Sequence, residues 1–392
     1  MPTKRVEPDS EPSTTASITE TTQSFWVDRI KGALLGVLIG ALFVAIAIVL
    51  LAWNEGRAIH TARSLAEGAR LVVSVPAEQV SAEHEGKLVH LVGAVHVFGE
   101  VRDPEFGLRI PGVVKLRRDV EMYQWSEDQR SETQSKLGGG QENVTTYSYA
   151  QRWSSAEIDS NRFRDPSGHH NPTFRIRAYQ ESANSAAIGA FGLSSHVLQK
   201  LNNFQTLPPE LRPQRPGAQW IDGGLYLGDS PDAPKIGDMR VTWAVVPAAE
   251  VSVIGQQRSQ EVAPFPTEAG DYLLLVADGR VAPTAMIDQA TEENAIIAWL
   301  LRLLGTALIY GGAVLLLRPL VVLADIVPLL GMVMGLGIGL IALLFALVLA
   351  PVTIALAWLW FRPLLALGVL LAASLAIFGL LQLKHRSCRK IG

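Results

Sequence analysis

Apolar positions along this chain fall in four blocks. Residues 32–53 carry no charged side chain, and three more apolar stretches crowd the C-terminal end at about 296–317, 326–361 and 364–383. Roughly 20 apolar residues in a helix cross about 30 Å of hydrocarbon, so each block can form a transmembrane helix. Residues 55–295 are of ordinary polarity and alternate apolar with polar positions in short runs. The pattern predicts a multi-pass α-helical membrane protein with a large β-rich (α+β) extracytoplasmic domain between the first and second spans.

Boundaries follow from the same pattern. Residues 1–23, rich in Ser, Thr, Glu and Pro, are expected to be a disordered cytoplasmic tail, and 24–54 the first transmembrane helix. This apolar run starts too late and is too long for a signal peptide, and no small-residue cleavage site follows it, so it is a retained anchor. Residues 296–383 hold three further spans, and the tail 384–392 contains Lys384, His385, Arg386, Arg389 and Lys390. Basic residues favour the cytoplasmic side, which with four spans places both termini in the cytoplasm and residues 55–295 outside it. The uncharged run 326–361 would make a helix about 54 Å long. Two readings stay open for it: one span with a segment along the membrane surface, its ends marked by Pro328 and Pro351, or a hairpin of two short spans.

Gly32, Gly36 and Gly40 share one face of the first span, as do Gly331, Gly335 and Gly339 in the third, and such faces let helix backbones approach within the bilayer. Arg302, about one turn inside the second span, is expected to snorkel to the headgroups. Trp358, Trp360 and Arg362 read as an interfacial belt. In the domain, residues 58–75 read as a helix that turns into a strand. Residues 88–101, 113–125, 145–153, 219–227, 238–246, 251–257 and 272–276 read as strands separated by Gly, Pro and Asp turns. Residues 183–201 read as helical and 130–143 as a hairpin tip. A likeness between 87–125 and 219–253 predicts two related β-rich units.

Composition narrows the function. A net charge of −3, from 34 basic and 37 acidic residues, lacks the concentrated basic face that a nucleic acid requires. The single cysteine, Cys388, cannot form an intramolecular disulfide, so the domain depends on its own core. Metal-ligand potential is confined to His169 and His170 near Asp159 and Asp165. Adjacent histidines point in different directions and paired zinc spacings are absent, so a structural role is expected there. Gly138, Gly139 and Gly140 lack a following Lys-Ser/Thr to make a phosphate loop, and neither a G-x-S-x-G elbow nor a carboxylate pair at catalytic spacing occurs. No catalytic, cofactor-binding or metal residue is assigned, and no cofactor is expected. In the strand around residue 120, Arg118, Val120, Met122 and Gln124 take one face and Arg117, Asp119, Glu121, Tyr123 and Trp125 the other. The second face reads as solvated with local ion pairs, or as a partner contact through Tyr123 and Trp125.

Several strings carry a resemblance. They are Asn54-Glu55-Gly56-Arg57-Ala58 with Thr61-Ala62-Arg63-Ser64-Leu65-Ala66-Glu67-Gly68, and Lys115-Leu116-Arg117-Arg118-Asp119-Val120-Glu121-Met122-Tyr123-Gln124-Trp125. Tyr147-Ser148-Tyr149, Trp153, Gly168-His169, Asn171-Pro172 and Trp358 through Arg362-Pro363-Leu364 continue the series. On these the chain resembles the transmembrane protein 43 family, also called LUMA, from end to end. The resemblance implies four spans, a large domain between the first two, and no established enzymatic activity. In animals it implies the endoplasmic reticulum and inner nuclear membrane, self-association, contact with lamins and emerin, and a tie to heart-muscle disease. The Ala- and Leu-rich spans suggest a bacterial relative, for which the cytoplasmic (inner) membrane and a periplasmic domain are the matching expectations and the lamina partners do not transfer.

The function expected is therefore a non-enzymatic, self-associating membrane scaffold that organises or senses the envelope. Its partners would be membrane lipids, further copies of itself and proteins that the sequence does not identify. A lipid- or ligand-binding membrane module is the alternative, and a membrane-bound hydrolase using His169 and Asp165 a remote one.

Overall fold

The computed structural model describes residues 16–136, 140–213, 218–221, 223–326 and 328–361. Helix α1 is Trp26–Leu71 (46 residues), α2 is Pro283–Ala324 (42 residues) and α3 is Pro328–Phe361 (34 residues), and each contains an apolar window long enough to cross a membrane. α1 is rich in Ala, Leu and Ile and free of proline, which keeps it helical well past the hydrocarbon. It stops where the β-branched pair Val72 and Val73 begins, with the Val72 N–H closing on Gly68 O at 2.9 Å. At 1.5 Å per residue α1 is about 69 Å long, more than twice the hydrocarbon thickness. α2 also begins outside the bilayer, with Pro283 in its first turn, where the N–H has no helical partner.

The helices meet through small residues. A Cβ added at Gly40 would lie 2.6 Å from Gly312 O and 2.9 Å from Leu315 Cβ, and one added at Gly312 would lie 2.7 Å from Gly40 O. The backbones of α1 and α2 therefore touch at one crossing, where only glycine fits. Above it Leu51 fills the notch left by Gly305, and Ala47, Ile309, Ala346 and Ala350 complete a buried core shared with α3. The predicted stripe is thus an internal seam centred on Gly40. Gly36 has Leu315 only at 3.9 Å, and a Cβ at Gly32 or Gly335 would meet nothing within 4 Å.

Of the strands among the described residues, those that set the architecture of the domain are β1 Ala16–Ser24, β2 Leu88–Phe98, β3 Val113–Ser135, β4 Gln141–Ser154, β5 Ser185–Ile188, β6 Phe191–Leu193, β7 Gly224–Leu227, β8 Met239–Pro247, β9 Glu250–Arg258 and β10 Glu261–Ala263. Strands β2, β5, β6, β10 and β9 pair in that order, and β9 pairs back onto β2, closing a small barrel. Val89, Leu91, Ile188, Phe191, Val253 and Val262 fill it. An open sheet runs β1-β4-β3-β8-β7 over a second core of Leu116, Val120, Met122, Leu225, Met239, Val241 and Trp243. A third cluster, Leu65, Leu88, Ile254, Leu273, Met286 and Ile287, fastens the domain ends of α1 and α2 to the barrel.

Beyond Met122 and Ser154, β3 and β4 leave the sheet as a long hairpin, and β1 adds to its β4 edge with Ala16 opposite Tyr149 and Ser24 opposite Gln141. Residues 16–23, expected to be disordered, are therefore ordered by pairing with the domain; their Ser/Thr-rich composition conceals a strand whose partner lies far away in sequence. Other expectations change as well. Residues 183–194 form β5 and β6 instead of a helix, because Gly189 at φ 58° turns the chain back, and only Ser195–Lys200 is helical. β3 continues to Ser135, so the hairpin tip is shorter than 130–143. The two related β-rich units do not appear side by side: β8 pairs with β3 and β9 with β2, so both sheets draw strands from both halves. Residues 326–361 do not form a hairpin: α3 is one helix that opens at Pro328 and carries Pro351 inside it. The fourth expected span, the basic tail and Cys388 lie outside the described residues.

Candidate functional site

The densest polar structure is built on α1 just past its apolar segment. Asn54, Glu55, Arg57, Ser64 and Glu67 stand there, and Asn294, Ala298 and Arg302 repeat at four-residue spacing on the facing stripe of α2. Asn54 Nδ2 donates to Ala298 O at 3.0 Å, and Asn294 Nδ2 donates to Ala58 O at 2.9 Å. The two amides thereby lock each helix to the other's backbone. Arg57 donates to Asn294 Oδ1 at 2.9 Å and to Asn54 Oδ1 at 3.3 Å.

Glu55 is the centre. Arg302 donates through Nε to Oε1 at 2.7 Å and through Nη2 to Oε2 at 2.9 Å, and Trp358 Nε1 of α3 donates to Oε2 at 2.8 Å. The Glu55 side chain is 2% exposed and that of Arg302 21%. A bidentate guanidinium–carboxylate pair is strong because two parallel charge-assisted hydrogen bonds match the planar geometry of both groups, which offsets the cost of burying the carboxylate. Arg302 therefore does not snorkel freely: its charge is taken up by Glu55, while its guanidinium lies 4.9 Å from the Trp299 ring. Phe361 closes the site over Gly56, where a Cβ would meet its Cζ at 2.8 Å. Of the expected aromatic belt, Trp360 is exposed, Trp358 is held inward by Glu55, and Arg362 lies outside the described residues.

The next turns of α1 grip the domain. Thr61 donates to Asp271 at 3.1 Å, Ser64 and Thr267 hydroxyls meet at 2.8 Å, and the Glu67 carboxylate accepts the Glu268 N–H at 3.0 Å. Arg63 Nη2 donates to Phe361 O at 3.1 Å. One continuous segment of α1 thus contacts α2, α3 and the loop around residues 267–271. At the far end of the bundle Arg29 pairs with Asp325, and Trp26 Nε1 donates to Val322 O at 2.9 Å. From Arg29 to Glu55 the helix rises about 39 Å, and from Arg302 to Asp325 about 35 Å, close to the hydrocarbon thickness plus its edges. The two ion pairs therefore bracket the apolar segments of α1 and α2 at their two ends.

Two further buried groups join elements within the domain. His90 accepts from Ser74 Oγ at Nδ1 (3.1 Å) and donates from Nε2 to Val281 O (3.0 Å), tying the strand after α1 to the start of α2. Burial holds its pKa below the ordinary 6.5. Lys115 Nζ donates to Gln199 O at 2.9 Å and Asn202 Oδ1 at 2.7 Å, capping the short helix Ser195–Lys200, and burial lowers its pKa. Both links are structural.

The residues singled out in the sequence are not brought together as a reaction centre. His169 is buried, stacked on Tyr149 at 4.0 Å and edge-on to Trp125 at 4.8 Å, while His170 is exposed. Asp165 accepts the Ser167 N–H and Asp159 the Asn161 N–H, each bracing its own turn. Among the described residues no group of three or more His, Cys, Asp or Glu could hold a metal ion. The alternation around residue 120 is as read: Arg118, Val120, Met122 and Gln124 are buried, and Arg117 pairs locally with Asp119 at 2.8 Å. Trp125 is covered by the loop that carries His169. Buried Arg118 instead donates to Asp103 at 2.6 Å, and Trp243 Nε1 joins the same carboxylate at 2.8 Å.

Sequence reading missed Glu55, Asn294 and Asp325 as partners. The available signal was complementarity: each of two apolar spans carries an arginine near its N-terminal end and an acid near its C-terminal end, so antiparallel packing sets each arginine beside the other span's acid. A family model described as Transmembrane protein 43 matches residues 122–363. The human Transmembrane protein 43 is 34% identical over 378 residues, covering 93% of each chain, and the mouse protein is 33% identical over 363 residues, covering 89% of this chain and 90% of its own. The Drosophila melanogaster homolog is 32% identical over 371 residues, covering 92% of this chain and 95% of its own. No solved structure matches the chain. The match covers both the spans and the domain they hold, and the chain belongs to the transmembrane protein 43 family.

Proposed function

We propose that this membrane protein is a non-enzymatic scaffold that self-associates and organises, or reports on, the envelope around it. One observation carries the reading: α1 and α2 pass unbroken from the apolar segment into the domain and are pinned together just past that segment by the Glu55, Asn54 and Asn294 contacts. Such a joint holds a domain at a set height and angle over the bilayer, which suits a fixed platform. A lipid-carrying domain would need a chamber, whereas both sheet cores are packed with their own side chains. The proposal places the basic C-terminal tail in the cytoplasm and the domain across a cytoplasmic or endoplasmic-type membrane. Its partners are lipids, further copies and proteins still to be identified.

The test is the mass of the intact protein in lipid nanodiscs and in membranes treated with an amine cross-linker, over a hundredfold range of protein-to-lipid ratio. Defined oligomers are expected. A monomer at every ratio in both preparations would overturn the proposal.

A further inference from the structure

We propose that the ribbon β1-β4-β3 is the surface through which copies of this chain assemble, with the β1 edge of one copy adding to the β3 edge of the next. The inference rests on the scaffold reading and supplies its contact. The hairpin leaves the domain near Met122, yet its tip at Gln141 is paired with Ser24, two residues before α1 begins. α1 meets the domain at its opposite end, through Leu65 and through Gly68 against Leu88 and Leu273. From Met122 to Ser135 a strand extends about 43 Å, and from Trp26 to Asn54 a helix rises about 42 Å. The ribbon therefore reaches the full height of the apolar segment of α1.

At that depth its composition does not suit lipid. Residues 126–135 and 141–148 are almost entirely polar, as is β1, on both faces. The edges are also open. Tyr123 exchanges backbone bonds with Gly237 and Asp238, and Trp125 with the Asn171 side chain, so odd-numbered residues of β3 turn their N–H and C=O away from β4. Ladder alternation carries this on to Glu127, Gln129, Ser131 and Thr133, and places Ser17, Thr19, Thr21 and Gln23 outward on β1. Among the described residues no strand covers the β1 edge, or the β3 edge beyond Met122.

Unpaired backbone groups at membrane depth have to be closed by other strands or sheltered in protein. Soluble proteins commonly protect an open edge with charged side chains, Lys above all, or with Pro. β3 carries Glu127, Asp128, Arg130 and Glu132 and β1 carries Glu20, but neither Lys nor Pro occurs in 16–24 or 123–135. The chain supplies both halves of a pairing. β1 and β3 run in the same direction, from the domain to the tip, so copies in one membrane orientation can join β1 to β3 as parallel strands. Such a head-to-tail contact repeats from copy to copy, and copies held in one plane by the membrane close it as a ring when the rotation between neighbours divides the circle. The polar ribbons then line a wet interior, with the apolar helices outside them facing lipid.

The test uses the full chain in a Cys388→Ser background, reconstituted in vesicles, with Thr21→Cys combined in turn with Gln129→Cys, Ser131→Cys or Thr133→Cys. Within one copy β4 separates these positions by two strand spacings, about 9.6 Å, so a disulfide has to join different copies. At least one pair is expected to give, on oxidation, a ladder of bands beyond the dimer that stops at the ring size; either cysteine alone gives at most a dimer. Thr19→Pro removes only an outward N–H, and it is expected to abolish the native oligomer while leaving thermal stability within a few degrees. Oligomers by mass with no ladder from any pair, and unchanged by Thr19→Pro, would overturn the ribbon contact and leave the scaffold reading standing on another surface. A monomer throughout would overturn both.

Discussion

Removing the Glu55 charge tests the joint between membrane and domain. Glu55 accepts three hydrogen bonds, two from Arg302 and one from Trp358, in a site where its side chain is 2% exposed. In Glu55→Ala all three donors lose their acceptor. Stranding one member of a buried ion pair costs about 3–5 kcal/mol, and a buried N–H left without a partner adds about 1–3 kcal/mol, the two not summing in full because water can enter. Glu55→Gln keeps the shape and one acceptor oxygen but turns an amide NH2 towards a guanidinium, so most of the loss should remain. Arg302→Met leaves the buried carboxylate its hydrogen bond from Trp358 but takes away the Arg302 counter-charge, and should cost a similar amount. The double variant should cost little more than either single change, because the pair acts as a unit. The measurement is thermal and denaturant unfolding of the parent and the four variants in one nanodisc composition, followed by tryptophan fluorescence. If Glu55→Ala lowers stability by less than about 1 kcal/mol, or if the two single losses simply add, the pair is an ordinary surface contact and the argument for a rigid joint fails.

Two more outcomes follow from the packing. Gly40→Leu should lower stability by at least the 1–3 kcal/mol or so typical of overpacking, without changing oligomer mass, while Gly36→Leu should do much less; equal effects would refute a crossing centred on Gly40. His90, held neutral by burial, makes stability depend on pH: the unfolded chain takes up a proton below about 6.5 and the folded one does so only at lower pH. The stabilisation is therefore complete above pH 6.5 and falls as pH drops towards the folded-state value. Unfolding midpoints at pH 7.5 and 5.5 should differ more for the parent than for His90→Gln, and an identical pH slope in the two would show that His90 is not the group responsible.

Much of this protein is written locally in its sequence. The spans were legible because a bilayer selects on composition alone, and uncharged runs such as 32–53 have few other uses. The inward and outward faces of β3 around Val120 were legible because strand alternation reaches only to the next residue. The rest was decided in three dimensions. Arg302 and Trp358 lie 247 and 303 positions beyond Glu55, and only the packing of α1 antiparallel to α2 and parallel to α3 makes a polar node of residues that look like span edges. Residues 16–23 have the composition of a disordered tail and become a strand because β4 offers them a partner more than a hundred positions away. Closure of the barrel by β9 onto β2, and the interleaving of the two halves, likewise depend on backbone pairing, which any non-proline residue can make. A pattern of side chains reports where a segment is buried; which segment it meets is set by the tertiary fold.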